Sequence, residues 1–173
     1  MRAGALHPSG EEVASGSDDD DCKVRLLDVM SQGEIACEFE GHQSRIWSLQ
    51  FHPTLPLLAA GDSHGQVKIW NIDSGHCLKS LSMNGRVRCL RFDAQGKYLV
   101  AASDNQDIRL WDMETYTHRL KFYGNTLRVW AIALLPQSQT LVSGDDRGTL
   151  KFWSLTSGKS KMNGQPINPD SEP

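Results

Sequence analysis

Long apolar runs are missing from this chain of 173 residues. No stretch approaches the roughly 18–20 apolar residues that a membrane-crossing helix needs. The opening MRAGALHPSGEE contains no apolar core of the secretory kind, so no signal peptide is expected in it. Cysteine is scarce: Cys22, Cys37, Cys77 and Cys89 form no C-x-x-C pair, and no histidine pair has zinc spacing. This argues against a zinc module and a disulfide framework. The four read as reduced, mostly core thiols of a cytosolic or nuclear protein. Charge of one sign is not in excess, since 18 Lys and Arg against 21 Asp and Glu leave −3. Global attraction to nucleic acid or anionic membrane is therefore not expected, and only a local basic patch could act. No G-x-S-x-G, H-E-x-x-H or phosphate-binding glycine loop occurs, which leaves no catalytic set, cofactor site or metal site to assign. A helical period is lacking over any dozen residues.

What is present is a repeat. GQVKIWN at 65–71 returns as QDIRLWD at 106–112 and GTLKFWS at 148–154. Trp70, Trp111 and Trp153 are thus 41 and 42 residues apart, and 43 residues before Trp70 lies Leu27 in KVRLLD. Upstream of each phrase come two more apolar runs. The first is RIWSLQFHP (45–53), RVRCLRFDA (86–94) and RVWAIALLP (128–136), with MRAGALHP matching its end. The second is EEVASGS, PLLAAGD, KYLVAAS and TLVSGDD. A third run follows the phrase in EIACEFE, HCLKSLS and THRLKFY, and has no counterpart in the last unit. Short runs of Val, Ile, Leu, Phe and Trp between Gly, Asp, Asn and Ser read as strands and turns. Four strands per 42 residues or so predict an all-β propeller, with blades over 1–40, 41–82, 83–123 and 124–158. The last blade is expected to stop after its third strand, and 159–173 to be a disordered polar tail. Four blades predict a partial propeller: one part of a larger one, or an incomplete gene product.

The chain resembles the WD40 repeat family over about residues 2–157. Gly41–His42 open a unit and Trp111–Asp112 close one; Trp70–Asn71, Trp153–Ser154 and Leu27–Asp28 close the others. The resemblance implies a structural role for Gly41, His42, Trp70, Trp111, Asp112 and Trp153, with each Trp buried between blades. It also implies a hydrogen-bonded tetrad of His, Ser or Thr, turn Asp and Trp. No unit completes it in this alignment: Ala60 and His64, Met83 and Asn105, and Asn125 and Arg147 stand at its positions. Apolar packing is therefore expected to outweigh the polar network, and Leu27 to pack the first blade less well.

Few residues remain for chemistry. Asp18–Asp21 read as a solvated hairpin turn rather than a cation site. His7 and His52 share one repeat position, His42 belongs to the GH pair, and His64, His76 and His118 share no ligand spacing. Arg25, Lys68, Arg109 and Lys151, each two before the Trp position, read as packed stems with solvated heads. Arg45, Arg86 and Arg128 are sharper, because all three begin the first strand of a unit. In a propeller they border one rim, as an arc of bidentate donors for a partner; local carboxylate pairing is the other reading.

The resemblance implies a non-enzymatic scaffold that joins other proteins in a multi-subunit complex, with no small-molecule substrate and no membrane partner. RIWSLQFHPTLPLLAAGD and RVWAIALLPQSQTLVSGDDRGTLKFW are similar to blades of cirhin-like proteins of the small-subunit processome. That likeness implies ribosome biogenesis and pre-rRNA processing, nucleolar location and indirect contact with pre-ribosomal RNA. The alternative is a general adaptor in ubiquitin-ligase, chromatin or signalling complexes of nucleus or cytoplasm. Met113–Glu114 after Trp111–Asp112 depart from the WD-x-R ending of ligase adaptors.

Overall fold

The computed structural model describes residues 3–17, 21–135 and 139–163. It contains four antiparallel sheets of four strands each. The first holds β1 (Ala3–Leu6), β2 (Glu12–Gly16), β3 (Val24–Asp28) and β4 (Glu34–Phe39), and the second β5 (Ile46–Phe51), β6 (Leu57–Asp62), β7 (Gln66–Asn71) and β8 (Cys77–Ser82). The third holds β9 (Val87–Phe92), β10 (Tyr98–Ser103), β11 (Ile108–Asp112) and β12 (His118–Phe122), and the fourth β13 (Val129–Leu135), β14 (Thr140–Asp145), β15 (Leu150–Ser154) and β16 (Ser160–Asn163). Within each sheet the strands pair in chain order. First strands of successive sheets adjoin, β1 with β5, β5 with β9 and β9 with β13. The sheets therefore fan outward from an inner row of first strands, as blades of a propeller do.

Side-chain alternation decides which seam each residue fills. On β7, Val67 and Ile69 point into the seam with the third sheet, while Trp70 points into the seam with the first. Trp111 fills the seam between second and third sheets, and Trp153 that between third and fourth. Each of these three Trp is at most 3% exposed, so its burial contributes up to about 4–6 kcal/mol at 25 cal/mol/Å². The second strands of the two middle sheets, β6 and β10, are covered on both faces, which is why β6 reads LLAAGD with no polar alternation and is buried throughout. Close approach demands small residues there: a Cβ on Gly61 would sit 2.3 Å from the Val87 Cγ1. Leu27 is only half-buried and belongs to none of the three seams, because it alternates on β3 with Val24 and Leu26, which face the second sheet.

Three expectations need correction. The fourth sheet is four-stranded, since Ser160–Asn163 pair with β15 through Lys151, Phe152 and Trp153. An outermost strand can be held by its backbone ladder alone, so SKMN needs no apolar pattern. Residues 164–173 of the expected tail lie outside the described residues. The cysteines are free thiols, but only Cys89 is buried; Cys22 and Cys37 are intermediate and Cys77 is exposed, because Cys22 lies in a turn and Cys37 and Cys77 on half-solvated outer strands. The heads of the four repeated cations are tethered: Arg25 to Asp21 and Glu38, Lys68 to Ser80, Arg109 to Asp107 and the Ser82 carbonyl, and Lys151 to the Gly124 carbonyl. They tie the third strand to the strand or loop beside it.

Candidate partner-binding rim

Arg45, Arg86 and Arg128 stand immediately before the buried Ile46, Val87 and Val129 that start β5, β9 and β13. The Arg45 carbonyl accepts the Ser63 N–H at 3.0 Å and the Arg86 carbonyl the Asp104 N–H at 3.1 Å. β5 and β9 are thereby fastened to the turns after β6 and β10, and the three arginines share one end of the inner row. Arg45 and Arg128 are exposed, and Arg86 is partly covered.

Two residues further along each strand stand Trp47, Arg88 and Trp130. The Arg88 guanidinium lies 4.5 Å from the Trp47 ring centre and 4.2 Å from that of Trp130. It is a cation held between two indoles, one from each neighbouring sheet. Arg88 Nη2 donates to Asp104 Oδ2 at 3.2 Å, and its Nε donates to Asp104 Oδ1. Arg86 stacks on Trp47 at 4.4 Å, with its Nε 3.7 Å from Asp104 Oδ2. The indole N–H groups are fixed as well, Trp47 to Ser63 Oγ at 2.7 Å and Trp130 to Asp146. Trp130 keeps 49% of its surface exposed.

The expected arc of three equal donors is thus uneven. Arg86 is drawn toward Asp104 and laid on an indole, and the more exposed Arg45 and Arg128 stand on the sheets at either side. A guanidinium already stacked loses little freedom on binding, so the rim is a stiff, cation-rich and aromatic surface. Trp47, Arg88, Trp130 and Asp104 escaped the sequence reading. The signal was one aligned column reading Trp, Arg, Trp two residues after the arginine column.

The structural set also resolves. His42 Nδ1 is 2.7 Å from Asp62 Oδ2, and its ring centre lies 5.2 Å from that of Trp70. Asp62 Oδ1 accepts the His64 and Gln66 N–H groups, both at 2.9 Å. The tetrad acid is therefore Asp62, two residues before the position read as His64, because the carboxylate must precede the turn whose N–H groups it caps. Burial works against its charge, but the His42 bond and the two backbone N–H groups outweigh it, so the carboxyl lies below its ordinary range. His42 Nε2 is buried without a partner; Ala60 offers no hydroxyl. In the fourth sheet the other half of the tetrad survives, with Trp153 Nε1 donating to Ser143 Oγ at 2.8 Å. Asn125 stands at the histidine position with its Nδ2 unpaired. Gly41 and Gly124 precede them with φ of 122° and 120°. A partial polar network thus remains in each of these two sheets, and neither completes the tetrad.

Asp112 caps the turn after β11 by accepting the Glu114 and Thr115 N–H groups. Asp28 does the same for Met30 and Ser31, and Asn71 for Ser74. Of the acidic run, Asp18, Asp19 and Asp20 lie outside the described residues. Asp21 bonds to Ser17, Arg25 and the Lys23 N–H, which hold its carboxyl at about 2. Among the described residues no three His, Cys, Asp or Glu side chains are grouped as metal ligands would be, and no helix is long and apolar enough to cross a membrane.

Known proteins place this architecture. The family described as "WD domain, G-beta repeat" matches residues 33–71, 75–112 and 116–154. Each match runs from an outer strand through the third strand of the next sheet. Protein SPA1-RELATED 4 of Arabidopsis thaliana is 26% identical over 147 residues, covering 84% of this chain and 18% of the relative. The transcriptional corepressor LEUNIG_HOMOLOG of the same plant is 29% identical over 156 residues, 88% of this chain and 19% of the relative. The anaphase-promoting complex subunit cdc20 of Dictyostelium discoideum is 26% identical over 161 residues, 88% of this chain and 32% of the relative. The chain thus spans 18–32% of the length of these relatives. With three matched repeats, four blade-like sheets and a Trp in every seam, the chain belongs to the WD40 repeat family.

Proposed function

We propose that this chain serves as a non-enzymatic adaptor that holds a partner protein on its arginine–tryptophan rim within a multi-subunit assembly. The observation that carries this reading is the clustering of Arg45, Arg86, Arg128, Trp47 and Trp130 at one end of the inner strands. Arg and Trp are the residue types that anchor interfaces, and the stack of Trp47, Arg88 and Trp130 keeps this surface stiff. The names of the relatives, a transcriptional corepressor and a subunit of the anaphase-promoting complex, support work inside assemblies and make the nucleus a reasonable place for it.

The narrower reading is a processome scaffold in the nucleolus, acting in pre-rRNA processing and touching pre-ribosomal RNA through other subunits. It rests only on the two stretches at 45–62 and 128–153. None of the relatives described above has a name from ribosome assembly, so the general adaptor is the reading carried forward.

Affinity purification of the tagged protein from its source cells, with mass spectrometry, tests both. Arg45→Glu with Arg128→Glu should remove specific partners while the chain stays folded, as circular dichroism would show, since both residues are exposed. Partners retained by the double variant would overturn the rim as a docking surface. Recovery of processome subunits with pre-rRNA would establish the narrower reading.

A further inference from the structure

The three seams between sheets are not closed equally at the end away from the rim. In the second sheet, His52 lies just past β5 and is 3% exposed. Its Nδ1 accepts the Thr54 and Leu55 N–H groups, which leaves Nε2–H to donate to the Gly96 carbonyl of the third sheet at 2.9 Å. Its ring packs on Phe92, with centres 5.0 Å apart. Tyr116 packs into the same seam. His7 likewise packs on Phe51 in the seam before it, with ring centres 5.0 Å apart.

The next seam loses both plugs. Asp93 stands at the His52 position and turns back on its own sheet, accepting the Tyr98 N–H at 2.7 Å. Gly158 stands at the Tyr116 position, and Leu134 where Phe51 and Phe92 stand. A cleft of about 770 Å³ opens between the third and fourth sheets, against about 350 Å³ at the seam that His7 partly fills. Its floor is aliphatic and aromatic, with Tyr98, Leu120, Leu134 and Leu155 continuing the seam core. Arg91, Lys97 and Arg119 surround it, and all three are exposed. Asp93 is the one carboxylate among the described residues that line it.

We propose that this cleft is a second docking site, for an extended protein segment that alternates large apolar and acidic residues. The volume exceeds that of one side chain. The floor favours aliphatic and phenyl groups, and the cations favour carboxylates beside them. The site stands apart from the rim, at the other end of the strands, and does not depend on the rim's function.

The test is fluorescence polarisation with the full chain and an end-capped peptide, Glu-Leu-Phe-Asp-Leu-Glu, carrying a dye. The expected result is saturable binding that disappears when Lys replaces each acidic residue. Arg91→Glu with Arg119→Glu should weaken binding about tenfold or more. Leu134→Phe, which restores the ring found in two other sheets, should weaken it about threefold by filling the floor without touching a charge. Arg45→Glu with Arg128→Glu should leave it unchanged. Absence of saturable binding, equal binding of the lysine peptide, or indifference to the Arg91 and Arg119 changes would overturn the proposal. So would tighter binding of a single-stranded RNA of the same length with the same sensitivity to those changes.

Discussion

The second and fourth sheets carry opposite halves of one polar network. In the second, His42 and Asp62 are bonded and buried beside Trp70, yet Ala60 leaves the His42 Nε2 without a partner. In the fourth, Ser143 holds the Trp153 indole, yet Asn125 replaces the histidine and leaves its own amide unpaired. Both tryptophans are buried to the same degree, 1% and 0% exposed. The seam therefore needs the buried indole, and either half of the network suffices to hold it in place.

Truncating the indole tests the shared part. Trp70→Ala and Trp153→Ala should each cost about 3–5 kcal/mol in urea denaturation. Replacement by Phe separates the two sheets, because Trp153→Phe also strands Ser143 and should cost about 1 kcal/mol more than Trp70→Phe. Equal losses would mean that the Ser143 bond contributes nothing.

Asp62→Ala should cost about 2–3 kcal/mol, since it strands His42 and the His64 and Gln66 N–H groups in a buried place. Asp145→Ala in the fourth sheet removes a cap for the Arg147 and Thr149 N–H groups in a more exposed turn, and should cost about 1 kcal/mol or less. Urea midpoints measured together check the order.

Acid gives a third contrast. The Asp62 carboxyl lies below its ordinary value of 3.8 in the folded chain, because the His42 and backbone hydrogen bonds outweigh the opposing effect of burial. A depressed carboxylate contributes stability that is fully present above the unfolded value and is lost as pH falls through the folded one. The gap between the wild-type chain and Asp62→Asn should thus be constant above about pH 5 and close below about pH 4. A gap that persists at low pH would show that the carboxylate charge is not what stabilises the second sheet.

The smallest effect is a gain. Ala60→Ser places a hydroxyl where Ser143 stands in the fourth sheet and supplies the missing partner to His42 Nε2. Stability should rise by about 1 kcal/mol. A loss would show that the site is too tightly packed for the added oxygen.

Much of this architecture was legible along the chain. A Trp returning every 41 or 42 residues on an alternating strand marked each seam, because a pleated strand must place that side chain on one face. The arginine column was legible for the same reason. Asp62 was misplaced by two residues, since the chemistry of a turn depends on which backbone N–H groups converge, not on position counted from the Trp. β16 was missed because an outer strand can rest on its backbone ladder and shows no apolar pattern.

The sequence by itself determined the pitch, the strand order and the residues that fill the seams. All of these follow from local periodicity and the size of buried side chains. Only the tertiary structure decided that Arg88 lies between Trp47 and Trp130, that His52 reaches the Gly96 carbonyl, and that Asp93 turns away and leaves a cleft. The Arg88 and His52 contacts join residues about forty positions apart. They come within reach only when neighbouring sheets stack, and their geometry depends on the angle and spacing between sheets, which no single repeat contains.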